Sequence, residues 1–158
     1  MSSISFTGHR KLSEDTAVLS QRLYKKLEEE INKGITDFNA GGAIGFDCIS
    51  AAVVLKLRDV YPHIKLNLIL PCSNKEQTIK WSDDEKAEFY RILKLADSVE
   101  YTSEHYYDGC MKKRNARLVE LQELATVGNT CLYLRSVLIQ LAYYRIQSGG
   151  FFIPVINW

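Results

Sequence analysis

A doubly wound α/β fold around a mostly parallel sheet is predicted by two features of this 158-residue chain. Short apolar runs of strand length alternate with longer amphipathic stretches, the pattern of βα units. No internal repeat, low-complexity segment or linker-like run of Pro, Gly or Ser interrupts them, and the length suits one domain of about 100 to 200 residues. The expectation is a single domain over residues 1–158 with about six strands and helices on both faces.

The first strand is Ile4 to Thr7. Glu14 to Asn32 follows as a helix, with Val18, Leu19, Leu23, Leu27 and Ile31 near helical spacing and Gly34 available for a left-handed cap. Ile35 to Asn39 is the second strand. The next helix opens near Gly45 and runs through DCISAAVVLKLRDVY until Pro62, which cannot continue it. Leu66 to Pro71 is the third strand. SDDEKAEFYRILKLA then carries a capping box, Ser82 accepting from the Glu85 amide while Glu85 reaches back. Ser98 to Tyr101 is the fourth strand and Met111 to Leu124 a helix. Cys131 to Leu134, a strongly apolar helix from Val137 to Gln147, and Phe152 to Ile156 complete the pattern. The apolar helix belongs inside the sheet sandwich or against a partner subunit, so a homo-oligomer is an open expectation.

Lys and Arg total 20 against 19 for Asp and Glu. No strong overall field draws such a chain to nucleic acid or an anionic membrane, so any polyanion site is local. There is no basic flank followed by an apolar run, and no stretch of about 18 consecutive apolar residues. A soluble, cytoplasmic protein is expected. Cys48, Cys72, Cys110 and Cys131 are widely spaced, without a CxxC pair or Cys/His cluster. They read as reduced thiols, and neither a metal nor a cofactor is expected.

Three loops can carry chemistry. In TGHR, Gly8 permits close backbone approach while Thr7, His9 and Arg10 offer polar groups at a strand end. Arg10 either grips a phosphate or carboxylate with its planar fork of donors or pairs with a surface acid such as Glu14. In NAGGAIGFD, Gly41, Gly42, Ala43 and Gly45 let the backbone approach a ligand, and the following helix aims amides and a positive dipole end at an anion. Asp47 is a cap or dipole partner, or else orients a ribose hydroxyl or acts as a base. This turn is neither GxxxxGK[ST] nor GxGxxG.

In GCMKKRNARLVE, Lys112, Lys113, Arg114 and Arg117 gather near a helix start, where positive charge opposes the dipole unless an anion or acid lies nearby. Arg114 and Asn115 face a bound phosphate or base, or else belong to a solvated helix face. Gln77 and Trp81 follow the third strand. The Trp81 indole stacks on a nucleobase or packs over the next helix.

TGHR, NAGGAIGFD, LILPC with Gln77 and Trp81, RILKLADSV and RNARLVE, in that order, closely resemble the YpsA-like branch of the SLOG superfamily. The superfamily also includes the DNA-processing protein DprA and the LOG-type phosphoribohydrolases. The resemblance runs from about Ile4 to Glu120 and more weakly to the end. It implies a Rossmann-like sheet whose glycine turn and first-strand loop line a pocket for nucleotides or nucleotide-derived ligands. Gly8, Arg10, Gly41, Gly42, Ala43, Gly45, Asp47, Arg114 and Asn115 fall on its pattern. One departure is the missing Gly-Gly-Thr loop after CLYLRS, where Ser136, Val137 and Leu138 follow directly. The Glu that LOG-type catalysis presents beside that loop has no counterpart between Glu123 and Trp158.

The expected function is binding or sensing of an ADP-ribose-like or cyclic nucleotide ligand. The alternatives are a LOG-type hydrolase of an N-glycosidic or phosphate bond, with Asp47 as the catalytic candidate, and DprA-like binding of single-stranded nucleic acid. Near-zero net charge counts against the last.

Overall fold

A computed structural model describes residues 3–123. Strands β1 (Ser3–Phe6), β2 (Asp37–Ala40), β3 (Lys65–Leu70) and β4 (Ser98–Tyr101) form one sheet in that order, each neighbouring pair parallel. Helices α1 (Thr16–Asn32), α2 (Phe46–Arg58), α3 (Asn74–Thr78), α4 (Asp83–Leu95) and α5 (Cys110–Glu123) connect and cover them. The sheet of the described residues is thus four-stranded rather than six-stranded. Cys131 to Leu134, the Ser136 to Leu138 departure, the helix from Val137 and Phe152 to Ile156 lie outside the described residues.

Local chemistry accounts for the helix ends. Asp15 caps α1, its Oδ1 accepting from the amides of Ala17 at 2.8 Å and Val18 at 3.1 Å, and Gly34 follows the helix at φ 101°. The Ser82 capping box is formed in full: Ser82 Oγ accepts from the Glu85 amide at 3.2 Å, and Glu85 Oε2 accepts from the Ser82 amide at 2.8 Å. The short α3 leaves no mark in the sequence, because little more than one turn is too brief to show a helical period.

The two sheet faces differ in chemistry. Ile4 pairs with Phe38 and Phe38 with Leu66, while Phe6 pairs with Ala40 and Ala40 with Leu68. These rows are buried together with Leu19, Leu23 and Leu27 of α1, Val54 and Leu57 of α2, and Phe89 and Ile92 of α4. On the opposite face Ser5, Asn39, Asn67 and Ser98 stand in register.

Hydrogen bonds run along that polar row: Ser98 Oγ to Asn67 Oδ1 at 2.7 Å, Asn67 Nδ2 to Asn39 Oδ1 at 3.1 Å, and Asn39 Nδ2 to Ser5 Oγ at 3.3 Å. Ser5 Oγ then donates to the Leu118 carbonyl of α5 at 2.9 Å. The polar row therefore docks α5, which puts a helix on the second face of the sheet.

Because the described strand order never reverses, the crevice is not between two of these strands as a reversal would place it. The change of side occurs where the chain leaves β4 and enters α5. The ends of β1 and β2 accordingly lie between helices of opposite faces.

Candidate functional site

Two loops meet at the carboxyl ends of β1 and β2. The Phe46 amide at the start of α2 donates to the His9 carbonyl at 3.1 Å. A Cβ on Gly8 would lie 2.5 Å from the Phe46 ring, and one on Gly45, at φ 84°, would lie 2.4 Å from the Arg10 carbonyl oxygen. Both glycines are therefore needed for the TGHR loop to seat on α2.

Asp47 lies in the first turn of α2 and is 1% exposed. Its Oδ2 takes a 2.6 Å charge-assisted hydrogen bond from Nη1 of Arg114, which reaches over from α5 and is 4% exposed. The Ala43 amide adds a 3.4 Å contact to the same oxygen. The guanidinium occupies the space beside Gly41, where a Cβ would stand 1.2 Å from Nη1. A buried ion pair thus clamps helices of opposite sheet faces together past the end of β2.

Burial holds the Asp47 carboxyl above its ordinary 3.8, against the pull of the Arg114 charge and hydrogen bond and of the Ala43 and Gly8 amides. The Phe46 and Cys48 amides of α2 are taken by the His9 and Ala43 carbonyls, each at 3.1 Å. Asp47 is itself the anion at this positive helix end. Burial also pushes the neighbouring Cys48 thiol up to about 12, which removes it as a nucleophile at neutral pH. Cys48, Cys72 and Cys110 are free thiols.

Gln77 of α3 donates from Nε2 to the Gly42 carbonyl at 2.7 Å, tying a third element to the glycine turn. The sequence marked Gln77 only as a group beyond a strand end. Its partner, a backbone carbonyl 35 residues away, has no sequence signature.

The other expected site residues are distributed differently. His9 and Arg10 are exposed at the rim, and Thr7 is half-buried. Among the described residues Arg10 makes no ion pair, and Glu14 pairs with Arg22 at 3.3 Å. Asn115 is exposed on α5. Trp81 is 6% exposed and packs edge-on against Phe89, with ring centroids 5.4 Å apart. Its indole is part of the core rather than a free stacking surface. Of the basic cluster, Arg117 forms a forked pair with Glu100 of β4 at 2.7 and 3.1 Å.

A second clasp holds the loop before α5. Glu76 of α3 contacts His105 Nδ1 at 3.0 Å and accepts a hydrogen bond from the Tyr106 amide. The His105 hydrogen bond, then the Tyr106 amide, holds Glu76 below its ordinary 4.5. Glu76, with Glu104 adding to it, holds His105 above its ordinary 6.5. A lowered carboxylate contributes stability above 4.5 that is lost as pH falls through its folded value. A raised imidazole contributes stability below 6.5 that is lost as pH rises through its folded value.

The clasp is at full strength between about pH 4.5 and 6.5. Deuterium exchange at the Tyr106 amide, compared with that in Glu76→Gln at the same pH, should show its largest protection there. A difference that does not vary with pH would contradict the clasp.

Among the described residues no helix is long and apolar enough to cross a membrane, and no group of three or more His, Cys, Asp and Glu side chains is placed to hold a metal ion.

A family model named YpsA, described as the YspA SLOG family, matches residues 5–127. A UPF0398 protein of Halalkalibacterium halodurans is 28% identical over 115 residues, covering 72% of this chain and 58% of its own length. A UPF0398 protein of Brevibacillus brevis is 32% identical over 91 residues, covering 58% and 45%, and one of Staphylococcus epidermidis is 30% identical over 98 residues, covering 62% and 51%. The chain spans about half the length of the curated relatives it matches.

Proposed function

The chain belongs to the YpsA family of SLOG proteins, and from that premise we propose that the glycine turn binds the anionic part of a nucleotide or nucleotide-derived ligand. One observation carries the reading. Asp47 Oδ1, Arg114 Nε and Gln77 Oε1 are buried side-chain atoms without a hydrogen-bond partner among the described residues. All three side chains converge on the turn from Gly41 to Ala43. Buried polar groups are nearly always satisfied, by ordered water or a ligand where protein does not suffice. Their concentration at one turn supports a polar ligand site there.

Arg10 supplies the accessible charge at the rim, while Arg114, committed to Asp47, sets the shape and potential of the wall behind it. Binding is favoured over hydrolysis because Asp47 is committed to Arg114 as a structural ion pair at 2.6 Å, and a general base must be free to take its proton from the substrate.

A charge-assisted contact contributes about 1.5–3 kcal/mol, so Arg10→Ala should weaken binding of nucleoside phosphates roughly ten- to a hundredfold. Arg10 is exposed, so the variant's own melting temperature should be unchanged. A thermal-shift series with AMP, ADP-ribose and cyclic dinucleotides reads the effect. If none of them raises the melting temperature, or the variant responds as the parent does, the assignment is wrong.

A further inference from the structure

We propose that Tyr106 and Tyr107, on the loop between β4 and α5, form a second subsite that stacks on the nucleobase of the ligand. The inference rests on the glycine-turn reading and adds the ligand's aromatic half. With Trp81 enclosed against Phe89, the exposed aromatic side chains of the described residues are Tyr90, Tyr101, Tyr106 and Tyr107. Three of these four fall within seven residues at the carboxyl end of β4. Tyr101 is engaged, its hydroxyl donating to Asn74 Oδ1 at 3.1 Å. Tyr106, 60% exposed, and Tyr107, 44% exposed, have no side-chain hydrogen bond or ring partner among the described residues.

The loop that presents them is held rather than loose. Glu76 grips the His105 ring and the Tyr106 amide, and Ser103 Oγ donates to the His105 carbonyl at 3.0 Å. The Tyr107 carbonyl accepts from the Cys110 amide at 3.1 Å, which seats Tyr107 at the start of α5. Arg114 reaches Gly41 from one turn further along the same helix, about 6 Å on. Glu76 adjoins Gln77, which holds the Gly42 carbonyl. A single turn of α3 therefore fixes the tyrosine loop and the glycine turn relative to one another.

Spacing sets the ligand class. The glycine turn follows β2 and the tyrosine loop follows β4, with β3 between them. Two strand spacings are about 10 Å, a span suited to a ligand with an anionic group at one end and a planar ring at the other. Nucleotides have that form. Tyrosine offers a flat face with few rotatable bonds, and base–aromatic stacking tolerates any base.

The test is calorimetric titration of the full chain with ADP-ribose, AMP and ribose 5-phosphate, repeated for Tyr106→Ala, Tyr107→Ala and the matching Phe variants. Expected is AMP or ADP-ribose binding at least about tenfold tighter than ribose 5-phosphate. The Ala variants should reduce that preference and leave ribose 5-phosphate unaffected, and the Phe variants should retain it. Equal binding of all three probes, each weakened by Arg10→Ala, would overturn the tyrosine subsite and leave the anion site standing. So would a base preference that survives both Ala substitutions. Binding of none of the three would remove the anion site and this subsite with it.

Discussion

Asp47→Ala lowers the unfolding free energy by about 3–5 kcal/mol, because it leaves the Arg114 guanidinium enclosed without its counterion. The cost comes from the orphaned charge more than from the attraction removed. Desolvating both members already offsets much of their attraction, which is why Asp47 is held above its ordinary value even beside a cation. Removing both charges should therefore restore most of the loss: Asp47→Leu with Arg114→Met should lie closer to the parent than either single variant. Urea titration of the parent, Asp47→Ala, Asp47→Leu, Arg114→Met and the double variant decides it. A single-variant loss under about 1 kcal/mol, the range of an exposed pair, would show that solvent reaches the clamp.

Gly41→Ala produces a loss of comparable size by another route. The Gly41 backbone is not in the left-handed region, so alanine is acceptable to the chain itself. The added methyl falls 1.2 Å from Arg114 Nη1 and 2.5 Å from Asp47 Oδ2. Arginine is flexible and can swing aside, but doing so leaves Asp47 buried without its partner at a cost of about 3 kcal/mol or more. The mechanism has a signature in a double-mutant cycle. In an Arg114→Ala background the same substitution should cost less, since the guanidinium is gone and the pair already broken, leaving only the 2.5 Å contact with Asp47 Oδ2 to be relieved. Additive losses would mean that the methyl acts on the backbone instead.

The polar sheet face has a visible trace in the sequence. Lys65, Asn67 and Ile69 alternate with Leu66, Leu68 and Leu70, and Asp37 and Asn39 flank Phe38. Doubly wound strands buried on both faces usually read as continuous apolar runs, and the apolar residues of these strands mask the alternation. Asn67 and Asn39 are buried or half-buried because they satisfy one another across the sheet, which no single strand reveals. The Asp47–Arg114 pair left a fainter trace. A basic cluster at a helix start needs an acid or anion nearby, and Asp47 is that acid, 67 residues earlier in the chain.

Sequence alone determined what depends on neighbours along the chain. The Ser82 capping box, the Gly34 helix end, the parallel α/β class, the positions of β1 to β4 within a residue or two, and the glycine turns at strand ends all follow from local geometry and period. Tertiary structure decided which side chains are spent and which are free. It enclosed Trp81 against Phe89, committed Arg114 to Asp47, and left Arg10, Tyr106 and Tyr107 without partners among the described residues. Availability depends on what packs against a side chain from distant segments, and a residue's type and spacing do not carry that information.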